Sequence, residues 1–143
     1  MTAKEYLSQG RHLDARINDK LHQVEQLRLM AERATAMLGG IPNSGTPNVS
    51  SLQDTICRIV DLEAEISRSV DQLIELRREM MHAIDAVPNA EYRTLLSMRY
   101  LSFRSWQEIA ESMGYNEKYV YELHGKALKM IRVPQVLTKS GRI

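Results

Sequence analysis

The sequence predicts an all-α protein, with an N-terminal long helical hairpin or coiled coil followed by a compact three-helix helix-turn-helix domain. Two observations support this fold class. Before residue 88, apolar residues recur at steps of three and four along two long stretches, which is the spacing of one helix face. Seven of the eight aromatic residues lie between Tyr92 and Tyr121, so the large side chains that build a compact core are concentrated in the C-terminal third.

Length and charge restrict the class of protein further. The 143 residues suit one domain, or one small domain plus an extended element. Residues 1–87 hold ten basic and thirteen acidic side chains, whereas residues 88–143 hold nine basic and five acidic ones. No apolar run approaches the ~18–20 residues of a membrane span, and the N-terminus lacks a signal-peptide core. We therefore expect a soluble protein of the bacterial cytoplasm or nucleoid, with no membrane partner.

The first long helix is predicted from about residue 3 to residue 38. Its apolar side chains alternate with polar ones at an average step near 3.5 residues, as expected for one buried stripe. The stripe consists of Leu13, Ile17, Leu21, Val24, Leu27, Ala31, Ala34 and Leu38.

A loop rich in Gly and Pro, from Gly39 to Ser51, separates this helix from a second one over residues 52–87. The second stripe extends over about five heptads, which is typical of coiled-coil packing. The loop allows an antiparallel hairpin within one chain, and it equally allows each helix to pair with a second chain. We expect residues 1–87 to oligomerise, through Leu52, Ile56, Ile59, Ile66, Val70, Leu73 and Met80. Cys57, the single cysteine, is expected to be a small buried side chain beside Ile56.

The third segment, residues 88–134, carries start and stop signals for three short helices. Asn89 after Pro88 is a cap for a helix over residues 90–101. Ser105 and Glu108 form a capping-box pattern for the next helix, in which Trp106 is expected to belong to the core.

The turn before the last helix completes a helix-turn-helix pattern. Gly114 suits a left-handed C-terminal cap, and Asn116 suits the cap of a last helix that ends before Pro134. Three short helices with a tight Gly-containing turn between the last two are typical of helix-turn-helix proteins. Residues 135–143 form a basic tail.

From Tyr92 to Pro134, the sequence resembles the region 4 domain of sigma-70-type RNA polymerase factors. The likeness is greatest over SWQEIAESMGYNEKYVYELHGKALKMI (105–131), which is similar to that family's cap, its E-I-A, its glycine turn and its K-A-L segment. LLSMRYL (95–101) is similar to the family's first helix. A helical segment before such a domain resembles small phage or prophage transcriptional regulators of Gram-positive bacteria. The aromatic and basic promoter-melting segment of sigma region 2 is not visible.

The resemblance implies that the last helix reads DNA. Lys118, Tyr121 and Glu122 lie opposite its apolar stripe, and Lys, Glu and Tyr side chains can contact guanine, cytosine and thymine edges. The predicted base-reading residues are Asn116, Glu117, Lys118, Tyr119, Tyr121 and Glu122. The predicted phosphate contacts are Arg93, Arg99, Arg104, Ser105, Lys126, Lys129 and Arg132. Gly125 in the middle of this helix suggests close approach to another backbone.

The function expected from the sequence is sequence-specific DNA binding by a transcriptional regulator of phage or prophage type. Double-stranded DNA and a homodimer or higher homo-oligomer are the expected partners, and the resemblance adds RNA polymerase. Two alternatives are a packaging protein like the phage small terminase and an interaction module that binds RNA polymerase without touching DNA. The sequence contains no nucleophile–base pair, phosphate loop or metal-ligand spacing, so we expect no enzyme activity, no cofactor and no metal.

Overall fold

The computed structural model describes residues 1–40 and 46–134. The described chain is helical and contains no strand, which confirms the all-α fold class. Its elements are α1 (Ala3–Gly40), α2 (Thr46–Asp85), α3 (Ala90–Leu96), a π-helical turn (Ser97–Leu101), α4 (Trp106–Met113) and α5 (Glu117–Lys129).

The long helices extend further into the predicted loop than the sequence pattern indicated. Helix α1 ends at Gly40 and α2 begins at Thr46, six residues before the predicted start at residue 52. Pro47 is compatible with this early start, because proline is tolerated in the first helical turn, where its missing N–H has no helical partner. Residues 41–45 of the predicted loop and the predicted basic tail, 135–143, lie outside the described residues.

The chain divides into two compact units, and the boundary differs from the predicted one at residue 87. One unit joins Met1–His12 to the described residues from Ile74 to Pro134, and the other includes Leu13–Leu73. We call them the terminal unit and the hairpin unit. The first turns of α1 and the last turns of α2 thus belong with the short helices.

The hairpin unit consists of α1 and α2 packed against each other in one chain. Its most buried side chains are Leu13, Ile17, Val24 and Leu62. Lys20 pairs with Glu65 at 3.2 Å between Nζ and Oε1, and Arg28 pairs with Glu63. Between the two arrangements that the sequence allowed, the structure therefore has the hairpin within one chain.

The core of the terminal unit gathers side chains from every helix. Tyr6 and Leu7 of α1 and Met80, Ile84 and Val87 at the end of α2 are buried in it. The short helices contribute Leu95, Leu96, Tyr100, Leu101, Ile109, Ala110, Val120, Leu123, Ala127 and Ile131. Each fully buried side chain of this size stabilises the fold by roughly 1.5–3 kcal/mol, so this core is the main source of stability of the unit.

The residues that were predicted to form the oligomer interface differ in their exposure to solvent. Met80 is completely buried in the core of its own chain, which leaves it no surface for a partner. Ile56 and Val70 are exposed, whereas four positions are half-buried: Leu52, Ile59, Ile66 and Leu73. The prediction that Cys57 is buried is wrong, since its side chain is exposed.

The helix predicted over residues 90–101 is an α-helix up to Leu96 and a π-helix from Ser97 to Leu101. After Leu96 the backbone forms a π-helical turn, in which the amide of Ser102 donates to the carbonyl of Ser97 at 3.0 Å. Phe103 follows with a φ of 56°, and the guanidinium of Arg11 lies 5.7 Å from its ring centre. Such turns are rare and occur frequently at functional sites, and the spacing of apolar residues gave no sign of this one.

Gly10 of α1 packs closely against its neighbours in the terminal unit. A Cβ atom at this position would lie 3.3 Å from Cε of Met80 and 3.8 Å from the carbonyl oxygen of Tyr100. The first contact is with the flexible end of a side chain, whereas the second is with backbone.

We expect Gly10→Val to lower the free energy of unfolding by about 1–3 kcal/mol, because its branches overfill this contact. Gly10→Ala should change it by less than about 1 kcal/mol, since the better helix propensity of alanine offsets a small shift of Met80. The control is Gly125→Ala, where no atom lies within 4 Å of the new Cβ. It should stabilise the protein by about 0.5–1 kcal/mol. Urea unfolding measures all three variants, and a Gly10→Val variant as stable as Gly125→Ala would contradict the close packing.

Candidate nucleic-acid interface

Hydrogen-bonded caps set the ends of α4 and α5. The hydroxyl of Ser105 accepts from the amide of Glu108 at 3.1 Å, while the Glu108 carboxylate accepts from the Ser105 amide at 2.9 Å. Gly114 ends α4 in the left-handed conformation, with a φ of 75°. The Asn116 side chain accepts from the amide of Tyr119 at 2.8 Å. The capping box, the glycine cap and the asparagine cap predicted from the sequence are confirmed, and together they define the turn between the two helices.

Helix α5 has one buried and one exposed face. Val120, Leu123, His124 and Ala127 form the buried face and pack into the core of the terminal unit. The exposed residues, which we call the outer face of α5, are Glu117, Lys118, Tyr119, Tyr121, Glu122, Gly125, Lys126 and Lys129. Five of the six predicted base-reading residues thus lie on one surface, and the sixth, Asn116, caps the same helix.

Aromatic contacts hold the two tyrosines of the outer face. The Tyr121 ring lies edge-to-face on Trp106, with ring centres 5.2 Å apart, and its hydroxyl donates to Glu117 at 3.2 Å. The Tyr119 ring packs in the same way on Tyr115 at 4.8 Å. Desolvation, followed by the hydrogen bond to Glu117, raises the pKa of Tyr121. The same hydrogen bond directs the phenolic proton toward Glu117.

The predicted phosphate contacts fall into two groups. Arg93 donates to the carbonyl of Val87 at 2.7 Å, and Arg99 donates to the carbonyl of Arg104 at 3.0 Å. The Arg99 guanidinium also lies 4.3 Å from the centre of the Trp106 ring. Burial, followed by repulsion from Arg11, lowers the pKa of Arg99. These two arginines thus stabilise the fold of the unit itself.

The other predicted phosphate contacts are exposed. Lys126, Lys129 and Arg132 lie on or directly after α5, with their side chains in solvent. Arg104 is also exposed, and its guanidinium donates to the weak acceptor Sδ of Met98 at 3.8 Å. The Ser105 hydroxyl is engaged in the helix cap. Of the six cations predicted to contact phosphate, four are therefore exposed around α5.

A buried polar cluster behind α5 was missed by sequence reasoning. The hydroxyl of Tyr100 and Nε2 of His124 are 2.7 Å apart, and the tautomer of the imidazole decides which one donates. Trp106 lies edge-to-face against His124 at 4.6 Å and is itself only half-buried. Burial, followed by repulsion from Lys4 and Arg99, lowers the pKa of His124 to about 4. Nothing in the sequence pointed to Tyr100 as the partner of His124.

The described residues contain no group of three or more His, Cys, Asp or Glu side chains that could hold a metal ion. None of the helices over residues 1–40 and 46–134 is long and apolar enough to cross a membrane.

Comparison with known protein families places most of the chain in one of them. A protein family described as "Protein of unknown function (DUF1492)" matches residues 48–132, which is more than half of the chain and extends from the start of α2 past the end of α5. No curated protein and no solved structure matches the chain significantly.

The His124 cluster predicts a pH dependence of stability. The folded chain takes up the His124 proton only near pH 4, whereas an unfolded chain takes it up near pH 6.5. The neutral His124 side chain therefore contributes fully to the free energy of unfolding above pH 6.5. This contribution is lost as the pH falls from 6.5 to 4, and the loss amounts to at most about 3 kcal/mol. Urea unfolding between pH 4 and pH 7 measures this decrease.

Two histidine variants test the assignment. His124→Gln should remove most of the decrease between pH 6.5 and pH 4.5, because its amide does not titrate. His12→Gln alters an exposed histidine and should keep it. Equal pH profiles for both variants would show that His124 is not the group responsible.

The arginines that are bonded within the fold and the exposed cations around α5 should differ in their contribution to the free energy of unfolding. We expect Arg99→Ala to lower the free energy of unfolding by about 1–2 kcal/mol, because it removes both the stacking on Trp106 and the hydrogen bond to Arg104. Lys129→Ala should change it by less than about 0.5 kcal/mol, since its side chain is exposed. Thermal or urea unfolding distinguishes them, and equal stabilities would contradict a structural role for Arg99.

Proposed function

We infer that this chain, which belongs to the DUF1492 family, is a sequence-specific DNA-binding transcriptional regulator of phage or prophage type. In this proposal it oligomerises through its N-terminal helices. The family description carries no function, so the proposal rests on the helices of the terminal unit and on the resemblance to sigma-70 region 4.

The outer face of α5 is the observation that carries the proposal. A 13-residue helix is about 20 Å long and fits the major groove, which is about 12 Å wide. The face combines a cation at Lys118, acceptors at Glu117 and Glu122, and two exposed tyrosines. Base edges in the major groove are read by such a mixture of donors, acceptors and apolar contacts. The groups lie in the first turns after the Asn116 cap, the end of a recognition helix that contacts bases.

Surrounding charge supports binding to the phosphate backbone. Lys126 and Lys129 follow the reading residues along α5, Arg132 follows the helix, and Arg104 precedes α4. Four phosphate contacts give weak binding for one copy at physiological salt, so a dimer that reads two half-sites suits this charge better.

A second candidate function is an interaction module that contacts a protein such as RNA polymerase. It is favoured by the exposed apolar surface around α5, where Tyr119, Tyr121 and Met130 are each more than two-fifths exposed. Tyrosine and methionine are enriched at protein interfaces. Such a module would show no sequence preference in DNA binding. A packaging protein like the small terminase is the third possibility, and DNA bound at packaging sites rather than promoters would distinguish it.

DNA discrimination tests the proposed reading helix. Preferred sequences are first selected from a pool of random duplexes with the full chain, and variants are then titrated on selected and scrambled duplexes at several salt concentrations. We expect Lys118→Ala and Glu122→Ala each to lose about 1–3 kcal/mol of specific binding, the range for a good contact between a side chain and a base. Circular dichroism should show an unchanged fold, because neither residue belongs to the buried face.

The cation variants separate phosphate contacts from base contacts. Lys129→Ala should weaken binding to all sequences alike and lower the salt slope by about one unit. Arg58→Ala, which removes an exposed cation from the hairpin unit, should leave both unchanged. Unaltered discrimination in both Lys118→Ala and Glu122→Ala would exclude α5 as the reader of sequence.

A further inference from the structure

One side of α2 exposes a row of apolar side chains to solvent. Ile56, Val60, Val70 and Ile74 are 48, 57, 36 and 61% exposed. They follow one another at the steps of four and three that keep residues on one helix face, with the exposed Glu63 and Ser67 occupying the middle of the row. We call these six residues the α2 stripe. Single exposed apolar residues are ordinary on a protein surface, whereas four of them on one side of a single helix indicate an interaction site.

The hairpin unit also has an open groove beside the stripe. The groove has a volume of about 690 Å³, and Glu63 of the stripe is part of its wall. Its apolar lining comes from Leu21, Val24 and Ile66, and its polar rim includes Arg28 and Glu25. Leu21 is nearly half exposed, although it belongs to the periodic apolar positions of α1. Two helices with four well-buried side chains between them bury too little to form a complete core, so the groove and the stripe leave room for further helices.

We propose that a second copy of this chain covers the stripe, with the two α2 helices antiparallel and the two hairpins forming a four-helix bundle. The inference rests on the self-association that is part of the proposed function, and it is independent of DNA binding. It replaces the predicted set of oligomerisation residues by the α2 stripe.

The order of residues in the stripe supports this partner, because the stripe is complementary to itself when reversed. With a two-fold axis beside residue 65, Ile56 lies opposite Ile74 of the second copy, and Val60 lies opposite Val70. Glu63 then faces Ser67, so that polar residues meet at the centre and apolar residues meet on both sides. An antiparallel register shifted by one heptad toward the C-terminus would place Glu63 opposite Ile74, and Ser67 opposite Val70. A dimer with such a shared patch has the isologous symmetry that is commonest among oligomers.

The small side chain at the axis and the charge of Glu63 within the stripe both favour the antiparallel arrangement. The small side chain of Ala64 lies next to the axis and allows the helices to approach closely. A parallel pair would instead place Glu63 against Glu63 inside the stripe, and like charges disfavour that arrangement.

Analytical ultracentrifugation of the full chain without DNA tests whether the α2 stripe is the dimer interface. We expect the unaltered chain to be a dimer, and Val60→Glu to weaken dimerisation more than 100-fold by placing two charges in an apolar layer. Met30→Glu is the matched control, since Met30 is 54% exposed in the same unit but lies outside the stripe. It should dimerise as the unaltered chain does. A monomeric unaltered chain, or a Val60→Glu variant that still dimerises with the same affinity, would overturn the proposal.

Cross-linking tests the antiparallel register. In a Cys57→Ser background, we mix a Val60→Cys chain with a differently tagged Val70→Cys chain and oxidise the mixture or add a short bis-maleimide. The proposed register places these two cysteines in one layer, so the mixture should give a cross-link that contains both tags. Each variant alone should not cross-link, because its two copies lie about 15 Å apart along the helix axis. Cross-links within each single variant would show a parallel pair and overturn the proposal.

The two proposals fail separately. Circular dichroism of Val60→Glu establishes that a monomeric variant is folded. If the mixed cross-link does not form but the chain still discriminates between DNA sequences, only the proposed pairing of the α2 helices is rejected. A mixed cross-link together with no sequence discrimination would remove the DNA-reading role alone.

Discussion

Helices of seven, eight and thirteen residues are too short to be stable in water by themselves, and this constraint governs the terminal unit. Their stability comes from a core that they do not build alone. Tyr6 and Leu7 at the start of α1, together with Met80 and Ile84 at the end of α2, are buried against them. The outer face of α5 is thus presented by a core to which the two ends of the long helices contribute. Gly10 allows α1 to lie close enough for this packing.

The same core determines which polar side chains of this unit are bonded within the fold and which extend into solvent. Arg93 and Arg99 donate to backbone carbonyls within the fold, and the Arg99 guanidinium stacks on Trp106. His124 stays neutral because its burial disfavours the imidazolium, and the Tyr100 hydroxyl satisfies its Nε2 atom. Cations further along α5, such as Lys126 and Lys129, have no such place in the core and extend into solvent. Basic side chains therefore have two different roles in this unit. The partly buried arginines stabilise the fold, whereas the exposed lysines remain available to bind a partner.

The hairpin unit presents the opposite situation, since its apolar residues exceed what two helices can bury. Leu13, Ile17, Val24 and Leu62 fill the contact between α1 and α2. Ile56, Val60 and Val70 lie outside it, on another side of α2. Because the apolar positions of α2 cover more than one face, a heptad pattern read as a single seam assigns some residues to the wrong surface. Met80 and Val70 belonged to one predicted seam, yet one is completely buried in its own chain and the other is exposed.

Local signals in the sequence were enough for several parts of the structure. The all-α class, the caps at Ser105, Gly114 and Asn116, and the buried face of α5 follow from capping chemistry and helical periodicity, which act over three to seven residues. Several features were decided only by the tertiary structure. They are the hydrogen bond from the Tyr6 hydroxyl to Glu79, the pair of Tyr100 and His124, the stacking of Arg99 on Trp106, and the π-helical turn after Leu96. Periodicity states which side of a helix avoids water but not what covers it. The physical reason is that burial depends on the volume left by all neighbouring helices, which is a property of the assembled core and not of any one segment.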